Sequence, residues 1–183
     1  KPEREYMRQI LVRIDEGKYG IPAFQRDFVW KPNQVIDLFD SILKGYTIGS
    51  IILWSPKGDN IPAVRSIKAD EIDVNSKPLF YILDGRQRVT AFYGCVTEWD
   101  NKPEVFRLFY DLASDSLAYK PKGKKAVAYP LSDIYDTIKT LGIMQEIMSS
   151  KLIDDSSKEE YIFRLKEVNT ILQSYEIGEI ILE

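Results

Sequence analysis

Between Leu79 and Val96 the apolar residues change period once, and this change fixes what the middle of the chain can fold into. "LFYIL" (79–83) is an apolar run of strand length. From Gln87 onward the spacing is helical, with Val89, Phe92, Tyr93 and Val96 at i, i+3, i+4 and i+7. The joint between the two is Asp84-Gly85, followed at once by Arg86, Gln87 and Arg88. A strand that passes through a glycine turn into a helix commits the chain to a sheet with helices packed on it.

The flanking sequence agrees with that class. Residues 2–17 place Tyr6, Met7, Ile10, Leu11 and Ile14 on one helical face, with Gly17 as a stop. Pro32 opens a second helix whose stripe is Val35, Ile36, Phe39, Ile42 and Leu43, and Gly45 ends it. "IGSIILW" (48–54) reads as a strand buried on both faces, 55–61 as a polar loop, and 62–77 as weakly patterned. "EVFRLFYDL" (104–112) alternates as a strand, "SLAY" (116–119) is its hairpin partner or continuation, and "KPKGKK" is a turn. Helices are predicted from Ser132 to Met148, capped by Ser132 or Asp133, and from Ser156 to Tyr175, with Ser157 and Glu160 as a capping box. The class is α+β. The division along the chain is a core over 1–130 that includes the N-terminal helix, and a helical extension over 131–183 that ends in a truncated strand.

Composition narrows the chemistry. In 183 residues there is no histidine, which removes Ser-His-Asp triads, Cys-His dyads and imidazole-based zinc or nuclease centres. Net charge is −3, from 25 Lys and Arg against 28 Asp and Glu, so an anion site must be local. The single cysteine, Cys95, lies on the apolar stretch and reads as a buried structural thiol in a reducing cytoplasm. No run of 18 apolar residues is present, so a soluble protein is expected. The chain starts at Lys1 and stops on a strand-like "YEIGEIILE", which reads as a piece of a longer protein.

The Asp84–Arg88 junction suits an oxyanion. A helix N-terminus offers unpaired N–H groups and a partial positive charge. Gly85 admits close approach, Arg86 and Arg88 offer planar paired donors, and Gln87 and the Thr90 hydroxyl can add to them. Asp84 caps the helix, orients Arg88, or holds a divalent cation. The plain structural alternative is a helix capped by Asp84 with its arginines in solvent. No G-x-x-x-x-G-K-[ST] sequence occurs, so a P-loop is excluded. In "IPAFQRDFVW" (21–30), Gln25 and Arg26 stand among Phe24, Phe28 and Trp30, which either stack on a base or anchor a loop. "GYTIGS" (45–50) is explained by a helix stop and a strand start, and Lys120, Lys122, Lys124 and Lys125 by a solvated turn. Asp111 and Asp115 lack the further oxygens that a cation shell needs.

Three ordered stretches, "IPAFQRDFVW", "SILKGYTIGSIILW" and "ILDGRQRVTAFYG", carry a family resemblance over roughly residues 4 to 98. The chain resembles the N-terminal domain of GmrSD-like modification-dependent restriction enzymes, a branch of the ParB/sulfiredoxin-like superfamily. The resemblance implies a small mixed sheet with packed helices, in which Gln25, Arg26, Asp84, Gly85, Gln87 and Arg88 converge on the phosphates of a nucleoside triphosphate. The family usually has Gln where this chain has Arg86, which adds a positive charge. An Arg-Ile-Asn motif that follows the last strand in the family is absent. By this reading the chain is an NTP-binding regulatory domain, with or without hydrolysis, of a DNA-restriction or phage-defence protein, whose nuclease lies in a separate C-terminal domain. Arg26, Arg86 and Arg88 clamp phosphate, Asp84 positions Mg²⁺ or water, and Trp30 stacks on the base. Two alternatives stand beside it: a non-enzymatic DNA-binding module using the same arginines, and a fragment inactive on its own. A homodimer stays open.

Overall fold

The computed structural model describes residues 2–57, 62–65, 67, 72–73, 77–120 and 127–182. In chain order the elements are β1 (Pro2–Tyr6), α1 (Met7–Asp15), β2 (Tyr19–Pro22), α2 (Pro32–Leu43), β3 (Ser50–Trp54), β4 (Val64–Arg65), β5 (Ile72–Asp73), β6 (Phe80–Asp84) and α3 (Arg86–Val96). A 3₁₀ turn (Glu104–Phe106) precedes β7 (Phe109–Asp111), β8 (Ser116–Ala118), β9 (Ala128–Pro130), α4 (Leu131–Tyr135), α5 (Thr137–Ser149), α6 (Asp155–Ser174) and β10 (Glu176–Leu182). The class is α+β, as the change of period at Asp84-Gly85 predicts.

Two compact units form, and neither is a continuous block of sequence. The first takes Lys1–Trp30, Thr47–Gly94 and Ser174–Glu183; the second takes Lys31–Tyr46 and Cys95–Gln173. β9 and α4, on either side of residue 130, both belong to the second.

The first unit is a mixed sheet in the order β1-β10-β3-β6-β2-β4-β5. β2 runs parallel to β6, with Tyr19 opposite Phe80, while β3 runs antiparallel to β6, with Ile52 opposite Asp84. The exits of β2 and β6 and the entry of β3 therefore share one edge, and this alone brings three distant loops together. Met7, Ile10 and Leu11 of α1 are buried, as are Ile51, Leu53, Tyr81 and Ile82 of the sheet and Val89 and Phe92 of α3. Each is worth about 1.5–3 kcal/mol of burial. The predicted N-terminal helix is shorter than its pattern. Pro2–Tyr6 forms β1 instead, because its peptide groups pair with β10, Arg4 opposite Gly178. "PEREY" alternates as well as it spirals, and a neighbouring strand decides between the two. β3 is buried on alternate residues, not on both faces as expected; Ile51 and Leu53 are covered and its other residues half-buried.

The second unit joins α2, α4, α5 and α6 to a small antiparallel sheet, β8-β7-β9. The expected strand 104–112 is a 3₁₀ turn followed by β7, since Pro103 sets a turn before Glu104. "SLAY" supplies the hairpin partner β8. The expected helix 132–148 breaks at Asp136, whose carboxylate accepts from the N–H groups of Ile138 (2.9 Å) and Lys139 (3.1 Å) and so caps a new helix. The cap of α6 is Asp154, which accepts from Ser157 N–H at 2.9 Å; Glu160 pairs with Arg164 instead of closing a capping box. Asp111 caps the β7–β8 turn, and Asp115 takes the Tyr110 hydroxyl. Cys95 is buried, and burial pushes its thiol far above the ordinary range, as a structural thiol requires. Lys120 is exposed, while Lys122, Lys124 and Lys125 lie outside the described residues, as do parts of 55–61 and 62–77.

Candidate functional site

At the shared sheet edge, β6 turns into α3 through Gly85. Its φ of +87° is left-handed, and a Cβ there would lie 2.6 Å from Ile51 Cγ2. Gly85 O accepts the first helical bond, from Val89 N–H at 3.0 Å. The first turn of α3, with its outward N–H groups, thus faces the segment that follows β2.

That segment is held by side chains. Gln25 Nε2 donates to Ile82 O (2.6 Å) and Leu83 O (3.0 Å) at the end of β6. Arg86 Nη1 donates to Gln25 O at 3.0 Å. Gln87 donates from Nε2 to Asp27 O and accepts at Oε1 from Val29 N–H, both at 3.0 Å. Arg65, which the reading of the sequence missed, pairs with the Asp27 carboxylate at 2.9 Å and donates to Ala23 O at 3.4 Å. It lies in a weakly patterned stretch, and nothing local marks it.

Arg88 performs the same service for a second loop. Its Nη1 donates to Ile48 O and its Nη2 to Ser50 O at 2.9 Å, with Asp84 Oδ2 at 3.6 Å. Gly49, also at φ +87°, is needed beneath it, since a Cβ would lie 2.6 Å from Arg88 Nη1. "GYTIGS" is thus more than a helix stop and a strand start. The Tyr175 hydroxyl, beside Ile48 and Arg88, is pushed up by burial.

A cleft of about 390 Å³ lies between these loops, lined by Gln25, Arg26, Trp30, Leu83, Asp84, Gly85 and the side chains of Arg86, Gln87 and Arg88. Every candidate from the sequence but one borders it. Thr90 is buried one turn further along α3, without a hydrogen-bond partner for its hydroxyl among the described residues, and is not among the lining residues. Among the described residues the lining includes three arginines and one aspartate, a local positive excess on an acidic chain. Arg26 is exposed and, among the described residues, makes no hydrogen bond or ion pair. Trp30 leans on Phe28, with ring centroids 6.4 Å apart at 54°.

Among the described residues no group of three or more His, Cys, Asp or Glu side chains is placed to hold a metal ion. Among the described residues Asp84 is the one acidic residue lining the cleft. That donor set fits a magnesium ion only when a ligand supplies most of its oxygens. No helix among the described residues is long and apolar enough to cross a membrane.

A family model described as "GmrSD restriction endonuclease, N-terminal domain" matches residues 7–182. The match extends far beyond the three motifs near the N-terminus. An uncharacterized protein of Methanocaldococcus jannaschii, MJ0686, is 32% identical over 112 residues. That alignment takes in 56% of this chain and 19% of the relative, so the matched part of the chain spans about a fifth of that longer protein.

Proposed function

Because the chain belongs to the family of GmrSD restriction endonuclease N-terminal domains, we propose that it is the nucleoside-triphosphate-binding regulatory domain of a DNA-restriction protein. The family membership makes it a region of a restriction-type defence protein. The observation that carries the finer reading is the cleft at the β6–α3 junction, where a glycine-opened helix N-terminus stands opposite Arg26 and Trp30. Phosphate oxygens take the N–H groups of the first turn of α3 and the Arg26 guanidinium, and the base lies on Trp30. Asp84 would hold a magnesium ion shared with the phosphates, and the ion would neutralise phosphate charge. Hydrolysis at such a site is positioning and charge neutralisation, with Asp84 orienting water and no covalent intermediate. The ParB/sulfiredoxin-like kinship and a cytoplasmic setting belong to the same reading.

The rival, a DNA-binding module using the same arginines, has less behind it. Arg86 and Arg88 spend donors on backbone carbonyls, and of the three only Arg26 is exposed. The test is a titration of ATP, GTP, CTP and UTP with Mg²⁺ into the wild type and Arg26→Ala. Saturable binding that weakens about tenfold in the variant is expected for one exposed, charge-assisted contact. Equal affinity in both proteins overturns the placement of phosphate at Arg26. Absence of binding by the folded wild type overturns the nucleotide reading. Binding of duplex DNA that falls steeply with salt favours the rival.

A further inference from the structure

The polar side chains around the cleft divide into two kinds by what their donors touch. Gln25 and Gln87 bond peptide groups through their carboxamides and Arg86 places its Nη1 on a peptide carbonyl, whereas Arg26 makes no hydrogen bond among the described residues. We propose that Gln25, Arg86 and Gln87 are positioning residues that clasp residues 25–29 onto the β6–α3 junction, and that the clasp exists to present Arg26 and Trp30 to the ligand. This rests on the reading of the cleft as a polyphosphate site, and it assigns which residues hold and which touch.

Residues 26–30 have no regular secondary structure, so their peptide groups find no ladder partner. Gln87 supplies one. Its carboxamide donates to Asp27 O and accepts from Val29 N–H, two peptides on, as a neighbouring strand would. Arg86, only 7% exposed, is lodged on Gln25 O, while the Gln25 side chain returns to the end of β6. The chain is therefore fixed on both sides of Arg26, at 25 and at 27, while Arg26 itself stays exposed. Such preorganisation removes the cost of ordering the loop when a ligand binds. A carboxamide and a guanidinium can each donate one hydrogen bond to a carbonyl, so a glutamine at position 86 can fill the same place.

The experiment uses the whole chain. Exchange of the Val29 amide is followed by NMR without ligand, and ATP with Mg²⁺ is titrated, for wild type, Gln87→Ala, Arg86→Met, Arg86→Gln and Arg26→Ala. Gln87→Ala and Arg86→Met are expected to speed Val29 exchange and to weaken ATP, each about tenfold or more. Arg86→Gln is expected to restore both to within about threefold of wild type. Arg26→Ala should weaken ATP and leave exchange untouched. Should Arg86→Met fail to fold, Gln87→Ala and Arg86→Gln decide alone. The proposal is overturned if Val29 stays protected in Gln87→Ala. It is also overturned if Arg86→Gln loses as much ATP affinity as Arg26→Ala while Val29 remains protected, for Arg86 then reads the anion. If the wild type binds no ATP, the nucleotide reading fails, and Val29 exchange still decides whether the clasp exists.

Discussion

The second unit has a cleft of its own, about 310 Å³, lined by Glu98, Ser132, Asp136 and Lys139 among others, and it makes an instructive partner to the one at the β6–α3 junction. Both are polar and similar in size. In the second unit each charge is already engaged: Glu98 takes Ser132 and Lys102, Lys139 donates to Asp133 at 2.7 Å, and Asp136 caps α5. In the first unit the described lining holds three arginines and one aspartate, and Arg26 makes no bond among the described residues. Volume does not separate the two clefts; uncommitted charge does. One closes its electrostatics within the fold, and the other leaves a positive excess for something outside it.

The comparison breaks most visibly at Gly85. Gly85→Ala puts a side chain on a left-handed backbone and 2.6 Å from Ile51 Cγ2, and should cost about 3 kcal/mol in urea unfolding. A neutral outcome would mean that the junction is not rigid. Arg88→Ala comes next, with a loss of about 2 kcal/mol, because the carbonyls of Ile48 and Ser50 lose their donors. This variant therefore reports on folding as well as on ligand, and a weakened affinity in it does not by itself place phosphate at Arg88. Chevron or urea curves on the same preparation separate the two effects.

A sharper contrast sets Lys139→Ala beside Arg26→Ala. The first should lower stability by less than about 1 kcal/mol through its half-exposed pair with Asp133 and leave nucleotide titrations unchanged. The second should leave stability within about 0.5 kcal/mol and weaken nucleotide binding. Equal effects on binding would erase the distinction between the clefts.

The smallest effect is in pH. Burial pushes the Glu98 carboxyl up, yet its bonds to Ser132 and Lys102 bring it below the ordinary value. Its contribution is therefore present above the unfolded pKa and lost as pH falls through the lower folded one. Glu179, buried in β10 beside Tyr19 and Arg13, is raised by burial against the pull of both partners. Its contribution is present below the unfolded pKa and lost as pH rises through the folded one. Thermal unfolding of Glu98→Gln and Glu179→Gln across the carboxylate range should differ from wild type with opposite slopes. Slopes of the same sign would refute one assignment.

The elements legible in the sequence are those governed by neighbours within about four residues. α2 with Pro32 at its start, the strand–glycine–helix joint at Asp84–Arg86, and the β7–β8 hairpin all follow from local spacing and turn chemistry. The break at Asp136 was hidden because the apolar period continues through it, and a short capping carboxylate at Asp136 competes on equal terms with helix continuation. β1 was hidden because "PEREY" satisfies two periods, and only β10 settles which one is used.

By itself, then, the sequence determined the α+β class and the presence of arginine and glutamine on irregular backbone at two motifs, since both follow from residue order alone. It did not determine what those side chains do. Gln87 meets Asp27 across 60 residues, Arg86 meets Gln25 across 61, and Arg88 meets Ile48 across 40. Those partners are chosen by the sheet order, in which β2 lies parallel to β6 and β3 antiparallel to it, so that three loops end at one edge. A guanidinium bonds whichever oxygen the fold brings within about 3 Å. For Arg86 and Arg88 that is a carbonyl, whereas Arg26 meets none among the described residues.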